Sequence, residues 1–250
     1  MPLEVIYGGL MGALRALGLV AILPTPVGAP MPRAVRVALA VLLAAVLAGT
    51  APVAAVPTAW GGLLSAAVHE ALLGLAMGFI GRTVFAAAEL AGRLIASEVG
   101  LVASPGFDAP RPDQEPLPTF ISAFAGLMFF LLGAHESVLA AFARSFELAP
   151  AGAAAFSPGA AETAVQATAR LVELGVRIAA PFIALNFVVT LGFAILGRAV
   201  PKMNVFVASM AVRALAGLTL FAGAGTLIAR YLSGAFDDLP WRMLELVGRG

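Results

Sequence analysis

Long apolar runs broken by proline and glycine recur through this chain, and they decide what it can fold into. A membrane-crossing helix needs about 20 mostly apolar residues. About six stretches approach that length: Ile6 to Leu23, Val37 to Val56, Trp60 to Ala96, Pro118 to Phe142, Leu171 to Leu196 and Val205 to Tyr231. Too little charge lies between them to build a water-facing shell. Charged residues are 12% of the 250, about half the share of an ordinary soluble domain, and mean hydropathy is +0.98. Lipid solvates apolar side chains directly, so embedding removes the need for that shell. The expected fold class is all-α, a polytopic membrane protein, read as one embedded unit over residues 1–250. The first run is expected to stay as a span rather than be removed as a leader. Glu4 stands where a basic n-region belongs, and Arg15 interrupts the apolar segment.

The third run is too long for one upright span. At about 1.5 Å per residue it reaches well past a ~30 Å hydrocarbon core. It must tilt, bend or extend beyond the bilayer, with Gly74 and Gly78 as candidate bend or close-packing points. Gly8 and Gly12 share the same GxxxG spacing, which permits close helix approach. Arg82, Glu89 and Arg93 fall within about 40° of one another on this helix, at 100° per residue. Three charges in lipid are costly, at about 2.5–3.5 kcal/mol each at mid-membrane. The stripe should therefore face protein, a water-filled path or solvent beyond the bilayer. Glu89 and Arg93, four residues apart, are expected to offset one another in part. Glu70, beside His69 near the start of the same run, joins the stripe as a candidate subunit contact, with His69 suited to interfacial hydrogen bonding.

The segment Ser104 to Pro118 holds so many prolines that regular helix or central strand is forbidden. Its acids are Asp108, Asp113 and Glu115. Such a loop cannot lie in lipid, where its backbone groups would go unsatisfied. It belongs in a water-filled lumen or outside the membrane. A second connection, Pro150 to Pro158, is rich in alanine, glycine and proline and carries no chemistry. Arginines fall on both sides of a six-span count, so no orientation of the termini follows.

Several chemistries are excluded or disfavoured. A net charge of +1 offers no electrostatic case for nucleic acid. With no cysteine, thiolate zinc and iron–sulfur sites are impossible, and two histidines are weak grounds for any metal. No Gly-x-Ser-x-Gly elbow and no phosphate-binding Gly-Lys-Ser or Gly-Lys-Thr occurs. His135, Glu136 and Ser137 are adjacent on a helix, so they point about 100° apart and do not converge. No catalytic residue, cofactor or metal is expected, and the chain reads as a non-enzyme. The alternative is a secondary transporter or channel for a small solute, with the charged stripe as its site. The two halves lack the matched broken segments that such a fold would show.

The punctuation resembles one known family. Arg15 and Pro24 are followed by Pro32 with Arg33 and Arg36. Then come Glu70, Gly74, Gly78-Phe79, Phe85, Ala91-Gly92 and Glu98-Val99-Gly100. Gly133-Ala134-His135, Ser145-Phe146, Pro150, Gly152 and Ala180-Pro181 follow in order. The most specific string is Gly197-Arg198-Ala199-Val200-Pro201-Lys202-Met203-Asn204-Val205-Phe206. Over nearly its full length the chain resembles the FliR/SctT family, the export-gate subunit of the bacterial flagellar and type III secretion apparatus. The resemblance implies a fusion of FliP-like and FliQ-like helical hairpins. It also implies assembly with FliP-like and FliQ-like gate subunits beside FlhB-like and FlhA-like export components. Unfolded secreted proteins would cross the inner membrane through that channel, at the flagellar basal body or injectisome base. The family's plug loop maps onto residues 98–118, with Gly100, Ser104, Pro105, Gly106, Phe107, Asp108 and Pro116 as candidate pore-plug residues. Arg15, Pro32, His135, Pro181, Arg198, Pro201, Asn204 and Phe206 carry the family motif. The resemblance leans toward the flagellar rather than the injectisome branch.

Overall fold

A computed structural model describes residues 2–23, 32–47, 49, 51–100, 115–200 and 204–248. Among these residues the chain is all-α, as the apolar runs predict. The helices are α1 (Pro2–Ile22), α2 (Arg33–Leu47), α3 (Trp60–Val99), α4 (Pro116–Leu131), α5 (Ala134–Leu148), α6 (Ala160–Ala199), α7 (Val205–Gly223), α8 (Gly225–Asp237) and α9 (Leu239–Glu245). Four of them, α1, α3, α6 and α7, are long and apolar enough to cross a membrane, and the α4–α5 pair would add a broken fifth.

Local chemistry sets the boundaries. α3 ends at Gly100, whose φ of 76° lies in the left-handed region that glycine enters without strain. α4 opens on Pro116 at its first turn, where the missing N–H costs nothing. α7 is capped by Asn204, whose side-chain oxygen accepts the Val207 N–H at 3.3 Å. α6 runs through Pro181 for 40 residues. The proline withholds one helical donor, and neighbouring helices in membrane proteins tolerate that loss.

The structure corrects four expected boundaries. The run Pro118 to Phe142 is not one span: it breaks at Gly133 (φ 69°), and α4 and α5 meet at a 68° bend. The run Val205 to Tyr231 breaks at Ala224, between Gly223 and Gly225, into α7 and α8. The run Val37 to Val56 gives only the 15-residue α2, and residues 51–59 form no helix. The run Leu171 to Leu196 is the apolar part of the longer α6, whose first turns are built from the good helix formers Ala160, Ala161 and Glu162.

α3 is the mast of the molecule. It runs without a break for 40 residues, about 60 Å. α1 packs along its first half and runs parallel to it, since Gly18 meets Ala71 and Leu75 while Gly81 meets Leu23. α6 packs along its second half, also parallel, with Gly175 against Ala87 and Leu90. α4 returns antiparallel, bringing Pro118 to Gly92 and Phe129 to Phe85. α7 folds back on α6, with Phe221 near Phe182. Phe85, Phe129 and Phe236 of α8 stack as a three-ring cluster at 5.5–5.7 Å between centroids.

Glycine decides how closely α1 and α3 approach. A methyl on Gly74 would overlap the Arg15 backbone carbonyl, and one on Gly78 would stand 2.7 Å from the Leu19 carbonyl oxygen. The Gly74/Gly78 spacing therefore marks a backbone-to-backbone contact rather than a bend. Gly8 and Gly12 serve less direct contacts, to Val53 and to Ala44 and Phe146.

Candidate functional site

The α1–α3 contact buries a guanidinium. Arg15 and Glu70 are both fully buried and joined by two hydrogen bonds, Nε to Oε2 at 2.6 Å and Nη2 to Oε1 at 3.0 Å. α5 supplies the rest of the shell. The Ser145 hydroxyl accepts from Nη1 at 3.0 Å, and the Ala149 carbonyl accepts from Nη2 at 3.0 Å. The Phe146 ring lies 4.0 Å from the guanidinium carbon, an arrangement that adds cation–π attraction. The Gly152 N–H donates to Glu70 Oε1 at 2.8 Å. Such a pair repays its desolvation only when its geometry is good and its remaining hydrogen-bonding groups are satisfied. Here the two-pronged geometry and the α5 partners meet both conditions, so the knot binds α1, α3 and α5 together. With no exposed atom, it offers nothing to a passing solute.

A second polar network crosses the end of α3. The Asn186 amide of α6 donates to the Glu98 carboxylate, and Thr190 donates to the Asn186 carbonyl at 2.7 Å. Arg213 of α7 donates to the Thr190 hydroxyl at 3.1 Å. One chain of contacts thus ties the α6–α7 hairpin to the turn at which α3 stops. Gly217 fits against Val99 at the same place, too close for any side chain.

The expected stripe divides. Glu70 is in the buried knot. Arg82 and Arg93 are exposed and Glu89 is half-buried. The ion pair expected between Glu89 and Arg93 is not formed, and the side chains of Arg82, Glu89 and Arg93 make no hydrogen bond among the described residues. Exposed guanidiniums keep their solvation, which removes the drive to pair. His69 is exposed and its Nδ1–H donates to the Ser65 carbonyl at 2.7 Å, a local bond within α3.

The motif residues are dispersed and largely structural. Pro32 offers its carbonyl to the Val35 and Arg36 N–H groups and so starts α2. His135 lies 4.9 Å from the Phe130 ring, just after the Gly133 break. Arg198 sits in the last turn of α6, where a cation complements the helix dipole. Phe206 is exposed at the start of α7. Pro201 lies outside the described residues. Of the candidate plug, Gly100 closes α3 and Pro116 opens α4, while Ser104, Pro105, Gly106, Phe107 and Asp108 lie outside the described residues. Sequence reading missed Asn186, Thr190 and Arg213, since isolated polar residues in apolar helices carry no sign of their partner.

Large apolar side chains are left uncovered. On α6 these include Val172, Val176, Phe187 and Leu191, and on α7 Phe206, Val207 and Leu215. Only 17% of the apolar stretch of α6 and 11% of that of α7 is buried within the chain, against 50% for α1.

Known proteins are similar to this chain in sequence. The flagellar biosynthetic protein FliR of Escherichia coli is 26% identical over 227 residues, covering 90% of this chain and 87% of that protein. FliR of Aquifex aeolicus is 29% identical over 172 residues, 69% of this chain and 67% of its own. The Yop proteins translocation protein T of Yersinia pestis is 29% identical over 158 residues, 60% of this chain and 59% of its own. The family model of the bacterial export proteins, family 1, matches residues 6–239. The chain belongs to that family of bacterial export proteins.

Proposed function

We propose that this chain is a non-enzymatic gate subunit of a bacterial type III protein export channel in the inner membrane. It assembles with FliP-like and FliQ-like subunits, beside FlhB-like and FlhA-like components, and unfolded flagellar or effector proteins pass through the channel they form. The observation that carries this reading, beside the family, is the mismatch between helix length and bilayer. α3 and α6 are each 40 residues, about 60 Å, twice a ~30 Å hydrocarbon core. They run parallel, yet apolar side chains stay exposed from Trp60 and Leu64 on α3 to Ile195 on α6. Lipid cannot cover both ends of such a mast. Neighbouring helices of other subunits can.

The loop between α3 and α4 acts as a plug in the closed pore. Its described ends are Gly100, whose left-handed φ closes α3, and Pro116, which opens α4. Both loop ends are thereby anchored on packed helices. The stripe of Arg82 and Arg93 serves contact with other subunits. The test has two arms. Native mass spectrometry after mild-detergent purification should find this chain in a complex with FliP-like and FliQ-like subunits, and a functional lone monomer would favour solute transport instead. Deleting residues 104–116 should preserve that complex and make cells leaky to small solutes. A tight membrane with an intact complex would overturn the plug role.

A further inference from the structure

One face of α6 changes character along its length. At 100° per residue, Arg170, Arg177, Ala184, Val188 and Ile195 fall within about 40° of one another, and all five are exposed. Arg170 and Arg177 line a cleft of about 280 Å³, where α6 meets α8 and α9 over Thr83 of α3. Arg230 of α8 and Arg242 of α9 line it too. Two of these four guanidiniums are matched: Arg177 pairs with Glu173 at 2.6 Å, and Arg242 with Asp238 at 2.8 Å. The side chains of Arg170 and Arg230 have no acceptor among the described residues. The cleft therefore carries two uncompensated positive charges, with the Tyr231 phenol beside them.

We propose that this cleft binds the phosphate of an anionic phospholipid, whose acyl chain lies along Ala184 and Val188. A guanidinium fork matches the oxygens of a phosphate, and basic clefts between membrane helices suit anionic headgroups. The lengths agree. From Arg177 to Val188 is 11 positions on α6, about 16 Å, close to one leaflet of a ~30 Å core. Ordinary solvated arginines would need neither a cleft nor an apolar track continuing from it on the same face. The net charge selects an anionic lipid, because a zwitterionic headgroup brings its own ammonium to the two free arginines. The site does not depend on the export role.

The test uses the full chain, purified from its native membranes in mild detergent with whatever subunits travel with it. Binding of phosphatidylglycerol and of phosphatidylcholine is titrated by native mass spectrometry. Phosphatidylglycerol should bind more tightly. Each of Arg170→Gln and Arg230→Gln should weaken it about fivefold, with the helical circular dichroism unchanged. Arg198→Gln, at the far end of α6, should leave it unchanged. Val188→Asn should weaken binding of the lipid with no change in charge. Equal binding of the two lipids, or unchanged binding in the Arg170→Gln/Arg230→Gln double variant, would overturn the site. Displacement by soluble glycerol phosphate as readily as by lipid would also overturn it, since the acyl chain would then contribute nothing.

Discussion

The two ends of α3 are held in opposite ways. Along its first half, α1 comes so close that glycine is required, and a fully buried ion pair locks the contact. Along its second half, α4 comes equally close at Gly92, while α6 and α7 pack on α3 through Gly175, Gly217 and one polar chain from Glu98 to Arg213 and leave most of their own apolar surface open. A closed contact is complete within the chain, whereas an open one is built to be finished by something else. The first end is thus the part that must fold correctly, and the second the part that must be assembled.

The sharpest way to break this contrast is at the knot. Glu70→Ala leaves the buried Arg15 guanidinium without its counter-charge and should cost about 3–5 kcal/mol, read as a lower thermal midpoint in detergent. Replacing both partners by methionine should cost much less than that, because no unpaired charge remains. Next come paired glycine substitutions. Gly74→Ala forces a methyl into the Arg15 backbone and should destabilise by about 1–3 kcal/mol. Gly192→Ala on α6 meets nothing within 4 Å and should stabilise by about 0.5–1 kcal/mol, since alanine is the better helix residue. The opposite signs separate a glycine that a helix contact requires from one on a face the chain leaves open. Asn186→Leu should cost only about 0.6–1.7 kcal/mol, the range of one interhelical hydrogen bond in a membrane protein. The smallest effect on stability belongs to Phe187→Ala, within about 0.5 kcal/mol. It should still reduce the amount of other subunits that co-purify.

Both ends were legible in the sequence only in part. Helices follow from apolar runs, and the close approach at Gly74 and Gly78 follows from their spacing. The pairing of Arg15 with Glu70 does not, because 55 positions separate them and no periodicity links two helices. The break at Gly133 was hidden because the apolar run continues to Leu132 and resumes after it. Its signs were the glycine itself and Glu136, an acid in the first turn of the next helix. The break at Ala224 had two flanking glycines as its sign. The first turns of α6 were missed because a hydropathy criterion ignores Ala, Glu and Gln, which form good helices without being apolar. Arg170 and Arg230 were legible as charges, but their meeting in one cleft depends on the fold-back of α7 and α8 onto α6.

Two faces of α6 now carry different expectations. Arg177 through Val188 to Ile195 passes from charge to apolar surface, as a lipid does. Val165, Val172, Val176 and Phe187 form an exposed apolar stripe that continues past the level of the arginines, where lipid chains do not reach. A photo-reactive residue placed at Val172 and, separately, at Phe187 in living cells shows what covers this stripe. Cross-links to other protein subunits are expected from both positions. Lipid adducts at Phe187 with no protein cross-link at Val172 would contradict that expectation.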